Sequence, residues 1–176
     1  MNSSLVKLAQ RGDQNAYLQL FSQYEADIYR IAHVYLNHVE DALDVVQETA
    51  YRSYKSLPEL REPSFFKTWL IRITIRCSID LLRSRQRFVP LSHEFEEHLA
   101  DDHSPPDIPL SISLQDMIDL LDESEKSVVL LRFYYDYTIR ETAELLELPL
   151  GSAKTILYRA LKKLRKQAEE VDWNER

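Results

Sequence analysis

The sequence predicts an all-α protein: two small helical domains joined by an acidic linker, the C-terminal one closing on a helix-turn-helix. Three observations carry this. The 176 residues include only 2 Gly and 7 Pro, too few for a barrel or sandwich rich in tight turns. Apolar residues recur at helical spacing through both ends of the chain. Between those ends, from Phe88 to Glu125, there is no Lys or Arg, and Pro90, Pro105, Pro106 and Pro109 punctuate a run of carboxylates. The expected boundaries are 1–88, a linker over 89–110, and 111–176.

The elements follow in order. Asp13, after Gly12, caps a helix whose apolar positions Tyr17, Leu20, Phe21, Tyr24, Ile28, Ile31, Ala32 and Tyr35 extend to a break at Asn37-His38. A second helix carries Ala42, Val45, Val46, Thr49, Ala50 and Tyr54 and stops near Leu57-Pro58. After Pro63, Ser64 caps a third, running to about Arg87 with Phe66, Leu70, Ile73, Cys77 and Leu81 on its apolar face. Beyond the linker, Ile112, Leu114, Ile118 and Leu121 resume the pattern. Ser124 caps a helix with Val128, Leu131, Arg132 and Tyr135, Thr138 caps a short one from Ile139 to Leu146, and a last helix spans about Ser152 to Glu169.

Net charge is -7, which taken alone argues against a nucleic-acid partner. The distribution argues for one. In the last helix, Ala153, Ile156, Leu157, Ala160, Leu161 and Leu164 form one face. Lys154, Thr155, Tyr158, Arg159, Lys162, Lys163, Arg165 and Lys166 lie opposite, with no acidic residue from Ser152 to Lys166. Two short helices and a tight turn, the second helix basic, fit the major groove, with side chains at the helix start reaching base edges and cations meeting phosphates. In the third helix, Arg72, Arg76, Arg83 and Arg87 fall within about 60° on the helical wheel, with Trp69 at the stripe's edge. Cations beside a ring suit single-stranded DNA.

Asp41, Asp44 and Glu48 share one side of the second helix, where like charges repel unless a basic partner meets them. A docking surface for a basic protein is the reading; a carboxylate active site lacks a context that would raise a pKa. His93, His98 and His103 repeat every five residues, not a one-face helical spacing, so no metal site is expected. Cys77 sits on an apolar face as a structural thiol. No Gly-rich phosphate loop or nucleophile elbow is present, and neither catalysis nor a cofactor is expected. The lone cysteine, the lack of a signal-peptide pattern and of a long apolar run point to a cytoplasmic protein without direct membrane insertion.

These residues match a family. Asp41 to Thr49, DALDVVQET, resembles the helix by which bacterial RNA polymerase sigma factors dock on the polymerase β′ clamp. Trp69-Leu70-Ile71-Arg72-Ile73 with Ile79-Asp80-Leu81-Leu82-Arg83 resembles the helix that melts the promoter and reads its minus-ten element. Leu121 to Arg165 resembles the region that reads the minus-thirty-five element, through Leu130-Leu131-Arg132-Phe133, Glu141 to Leu146, and Gly151-Ser152-Ala153-Lys154 through Tyr158-Arg159-Ala160. With only these two domains the chain looks like the extracytoplasmic-function group. Arg76, where the family usually carries Asn, Asp122 in place of a common Pro, and Thr142 in place of a usual Ile are departures.

The resemblance implies a sigma factor that directs core RNA polymerase to promoters. Asp41, Asp44, Gln47 and Glu48 would bind polymerase. Trp69, Arg72, Arg76, Arg83, Arg87, Ser152, Lys154, Thr155, Tyr158, Arg159 and Lys162 would bind promoter DNA. It further implies contacts to the β′ clamp and β flap, and an anti-sigma factor, often membrane-anchored, that holds the chain inactive. The alternative is a helix-turn-helix regulator acting without polymerase docking.

Overall fold

The computed structural model describes residues 3–88 and 117–174, with side chains to residue 85 in the first stretch and residue 169 in the second. The predicted linker and the three linker histidines lie outside the described residues. Among those described, every regular element is helical: α1 (Ser3–Gln10), α2 (Gln14–Ser22), α3 (Glu25–Leu36), α4 (Val39–Ser56), α5 (Phe66–Phe88), α6 (Glu123–Val129), α7 (Ile139–Leu145) and α8 (Leu150–Asn174).

Helices α1–α5 form the first block. Gly12, at φ +94°, turns the chain between α1 and α2, a conformation that costs glycine little. Asp13 then caps α2, its carboxylate accepting from Ala16 N–H at 3.0 Å. The single helix expected from Asp13 to Tyr35 is instead two. Tyr24 N–H closes a tight turn on Phe21 C=O at 2.9 Å, and Tyr24 leaves helical geometry at φ −117°, ψ −2°. Its ring packs on Phe66 and so stays within the apolar pattern that hid the break. Asn37, at φ +49°, closes α3 with its N–H on His33 C=O. Pro58 follows the end of α4. Ser64 is not the cap of α5: it lies in a 3-10 turn, Pro63–Phe65, that Glu62 caps.

The core of this block is Val6, Leu20, Phe21, Ile28, Leu57 and Leu70, all buried. The Gln10 amide donates to Leu57 C=O (3.1 Å) and Leu60 C=O (2.7 Å), fixing α1, which periodicity alone did not indicate, against the end of α4. Tyr17 Oη donates to Ala50 C=O at 2.7 Å, satisfying a polar tip in an apolar site.

In the second block, Asp122 and not Ser124 caps α6. Its side chain accepts from Glu125 N–H while Glu125 accepts from Asp122 N–H, a reciprocal capping box. Helix α6 runs on into one π-helical turn, Leu130–Tyr134, with Tyr135 N–H on Leu130 C=O at 3.2 Å. Thr138 and Glu141 form a second capping box at α7. The turn into α8 passes through Glu147 at φ +56°, held by Leu148 N–H on Ala143 C=O at 2.8 Å.

The two blocks pack together. Ile31, Tyr35, Ile71 and Ile75 of the first join Leu131 and Leu145 of the second in one buried cluster. Ile71 and Ile75 lie beside the predicted apolar face of α5, whose Phe66, Leu70 and Cys77 are buried as expected.

Candidate nucleic-acid interface and docking face

Helix α4 divides its residues between core and surface. Ala42, Val45, Val46, Thr49 and Ser53 are buried, which leaves Asp44, Gln47 and Glu48 exposed together with Val39, Leu43 and Tyr51. Beside them a cleft of about 610 Å³ is lined by Asp44, Glu48, Tyr51, Arg52, Asp80 and Leu81, among others. Arg52 bridges Glu48 (2.6 Å) on its own helix to Asp80 (2.8 Å) on α5. These bonds raise its pKa, so the cleft wall keeps one fixed cation between carboxylates. Asp41 does not share this face. It is 3% exposed, its Oδ1 accepts a hydrogen bond from Arg85 of α5, and His38 Nδ1 lies 3.7 Å from its Oδ2. Its carboxylate ties α4 to α5 and is turned away from any partner at the surface.

The arginine stripe of α5 is present, and it is covered from one side. Arg76 pairs with Glu147 at 2.8 Å, and Arg72 with the same carboxylate at 3.4 Å. Arg83 pairs with Glu123 through Nε (3.1 Å) and Nη2 (2.9 Å). Both acids belong to the second block. Trp69 is half-buried against Phe66 and the first core. Arg87 lies within α5, its side chain outside the described residues.

Helix α8 presents Ser152, Lys154, Thr155, Tyr158, Arg159 and Lys162 to the surface. Tyr158 is 76% exposed. Gly151 precedes them, and Thr155 donates its hydroxyl to Gly151 C=O at 3.0 Å. On the opposite face Ala153 and Ala160 are fully buried, and their small side chains let α8 approach its neighbours closely; Leu161, expected on that face, is 40% exposed. Arg159 and Lys163 are tied to carboxylates of the same block. Arg159 Nε donates to Glu125 at 2.7 Å and its Nη2 to Asp122 at 3.3 Å. Lys163 donates to Glu125 at 2.6 Å.

Sequence reasoning missed the carboxylates that hold these cations. Glu123, Glu125 and Glu147 lie far from their partners in sequence. The signal available was the pattern Asp122-x-x-Glu125, which specifies the capping box and hence the orientation of Glu125.

With this geometry in place, the comparisons with known proteins agree along the chain. Residues 20–88 match the family described as Sigma-70 region 2 and residues 111–164 that described as Sigma-70, region 4. The RNA polymerase sigma factor SigV of Bacillus subtilis is 32% identical, with 86% of this chain and 90% of that one covered. The ECF RNA polymerase sigma factor SigW of the same organism is 28% identical over 94% and 96%. Among solved structures, CnrH in complex with the cytosolic domain of CnrY has a TM-score of 0.70 at 22% identity, covering 96% of this chain and 97% of that one. The sigma factor RpoE with the anti-sigma factor NepR from Bartonella quintana has 0.68 at 17%, covering 87% and 96%. Both share the fold.

Proposed function

The chain belongs to the extracytoplasmic-function group of RNA polymerase sigma factors, and from that premise we propose how its surfaces divide the work of initiation. A sigma factor is a non-enzymatic subunit that directs core RNA polymerase to promoters. Here Asp44, Gln47 and Glu48 dock the first block on a basic surface of polymerase, the β′ clamp. The observation that carries this is their exposure on one face of α4 beside the apolar side chains Leu43 and Tyr51. A protein interface is strongest where charge complementarity surrounds an apolar anchor.

On α8, Ser152, Lys154, Thr155, Tyr158 and Lys162 meet the upstream promoter duplex. If Lys154 contacts a base, Lys154→Ala costs about 1–3 kcal/mol of discrimination. On α5, Trp69, Arg72, Arg76, Arg83 and Arg87 engage the opened downstream strand. Arg72, Arg76 and Arg83 are held by Glu147 and Glu123, so the second block covers one side of the stripe and has to move off it before the whole stripe can lie along a strand. Polymerase supplies that separation by binding the two blocks at different places, the clamp and the β flap.

The protein works in the cytoplasm beside polymerase. The Bartonella structure of the same fold holds an anti-sigma factor, and a partner of that class keeps this chain from polymerase. No described helix is long and apolar enough to cross a membrane.

The test is retention on purified bacterial core polymerase, comparing the native chain with Asp44→Arg plus Glu48→Arg. Retention of the native chain and its loss in the variant is the expected result. Failure of the native chain to be retained would refute the docking assignment and favour a helix-turn-helix regulator that acts without polymerase.

A further inference from the structure

We propose that Glu125 is the positioning residue that sets the rotation of the recognition helix α8, and that Arg159 acts through it as a strut, not as an independent reader of bases. The proposal rests on the assignment of α8 as the promoter-reading helix.

Glu125 is fully buried, at 0% exposure. A buried carboxylate is costly unless charged and hydrogen-bonded groups compensate it. The capping box uses one oxygen, which accepts from Asp122 N–H at 3.0 Å, and a glutamine would serve that role as well. The charge answers to two cations on α8. Arg159 Nε binds Oε1 at 2.7 Å and Lys163 Nζ binds Oε2 at 2.6 Å. Burial pushes the Glu125 carboxyl up, but the bonds from Lys163, the Asp122 amide and Arg159 outweigh it and hold it below the usual carboxylate range. It is ionised wherever the protein is folded at neutral pH.

The geometry makes this a rotational lock. Residues 159 and 163 stand one turn apart on one side of α8. Two attachments on a single carboxylate fix both the rotation and the axial position of the helix. The apolar contact beneath them buries Ala153 and Ala160 fully and Ile156, Leu157 and Leu164 only in part, and such contacts are non-directional, whereas the two charged bonds fix an angle. A slip of one residue turns a helix by about 100°, which would swing Lys154 and Tyr158 out of the groove. The same bonds occupy Arg159. Its Nε and Nη2 are turned to Glu125 and Asp122, so this edge of the guanidinium fork is not free to grip a guanine bidentately.

The experiment uses the full chain assembled with core polymerase. Duplexes selected by that holoenzyme are compared with the same duplexes scrambled in the upstream element. Glu125→Gln keeps the size and the cap and removes the charge. It is expected to lower discrimination about tenfold, an energy of about 1.4 kcal/mol. Arg159→Gln should do the same, and the double variant should be no worse than either single one, because both break one lock. Glu125→Gln also releases two cations beside the DNA, so binding to scrambled duplex should strengthen. Its log–log salt slope should steepen by up to about 1.8, at about 0.9 per phosphate neutralised, a change that mere loosening of the fold would not produce.

Unchanged discrimination in Glu125→Gln, with Arg159→Gln losing preference at a single base pair, would overturn the proposal and make Arg159 a reader. Should Glu125→Gln fail to fold, Lys163→Gln removes one arm of the lock; it must then lower discrimination, or the proposal fails. Lys154→Ala and Tyr158→Ala separate this from the underlying assignment. If neither changes discrimination, α8 does not read the promoter and the lock falls with that assignment.

Discussion

The contact between Tyr35 and Ser127 gives the sharpest prediction about how the two blocks part. Their oxygens lie 2.6 Å apart in a buried position at the seam between the blocks. Ser127 spends its one proton on Glu123 C=O at 2.7 Å, so Tyr35 must be the donor in the pair. This makes the two deletions unequal. Tyr35→Phe removes the donor and leaves Ser127 with its bond to the backbone, at a cost to the closed state of about 0.5–1.5 kcal/mol. Ser127→Ala leaves the Tyr35 hydroxyl, 3% exposed as a residue, with no acceptor, at about 1–3 kcal/mol. Both costs fall on the closed arrangement alone, because water reaches Tyr35 once the blocks separate.

At about 1.4 kcal/mol per factor of ten, Ser127→Ala should raise the open population about 5- to 150-fold and Tyr35→Phe about 2- to 12-fold. The open form releases Arg72, Arg76 and Arg83. The assay is therefore energy transfer between dyes on α2 and α8, read beside the affinity of the free chain for single-stranded DNA. Both readouts should move in the order Ser127→Ala, Tyr35→Phe, native. Opening by Tyr35→Phe equal to or larger than that by Ser127→Ala would refute the donor assignment. Opening without a gain in DNA affinity would refute the claim that the seam carboxylates neutralise the α5 cations.

Three further outcomes are expected. Glu125 and Asp122 are both held below the usual carboxylate range, in each case because hydrogen bonds and the Arg159 and Lys163 charges overcome the effect of burial. Their contribution is therefore complete above the unfolded carboxylate pKa and is lost as pH falls through the depressed folded value; thermal melts in acid should show it, and Glu125→Gln should flatten the response. Burial pushes the Tyr35 and Tyr135 phenols above their ordinary value of 10.0, so this stabilisation is present below that value and lost as pH rises beyond it, with alkaline opening of the seam followed by the tyrosinate absorbance. Burial likewise raises the Cys77 thiol, so at neutral pH a thiol reagent should label it no faster than α4 and α5 separate, while an Arg85→Ala variant, which frees Asp41, should label sooner.

The fold class was legible because periodicity states which side of each helix is dry. Val45 and Val46 had to face a core, and Ala153 and Ala160 likewise, whatever the tertiary arrangement. The start of α2 and of α7 could be read because Asp13 and Thr138 are capping residues acting on local backbone. The break at Gln23-Tyr24 could not, because Tyr24 keeps its place in the apolar pattern while its backbone leaves the helix. Ser124 was mistaken for a cap because it stands next to a better one. The Asp122 carboxylate accepts both the Glu125 amide (2.8 Å) and the Ser124 hydroxyl (2.6 Å), and the charged acceptor wins.

For the candidate site, the residue types were legible and their partners were not. Asp41 fits the same side of a helical wheel as Asp44 and Glu48, yet α4 packs on two neighbours, and the wheel does not say where α5 will bury one more carboxylate and meet it with Arg85. Arg159 fits the basic face equally well. Only the fold brings Glu125 beneath it.

Magnitudes decide what holds the closed arrangement and so what must open it. The ion pairs of the seam are exposed: Arg76 and Glu147 keep 55% and 61% of their side-chain surface, and Arg83 keeps 61%. Pairs of that kind contribute about 0–1 kcal/mol each and weaken with salt. Beneath them Leu131 is fully buried and Ile31, Ile71 and Ile75 nearly so, at about 1.5–3 kcal/mol for each such side chain kept from water. The apolar cluster therefore supplies the stability, and the carboxylates decide which face of α5 is covered. A competing polyanion such as DNA can displace Glu147 and Glu123 but offers nothing to the cluster. Separation of the blocks needs a protein partner that gives each one a surface to bind, and under the proposed assignment of the stripe that partner is core polymerase and not promoter DNA.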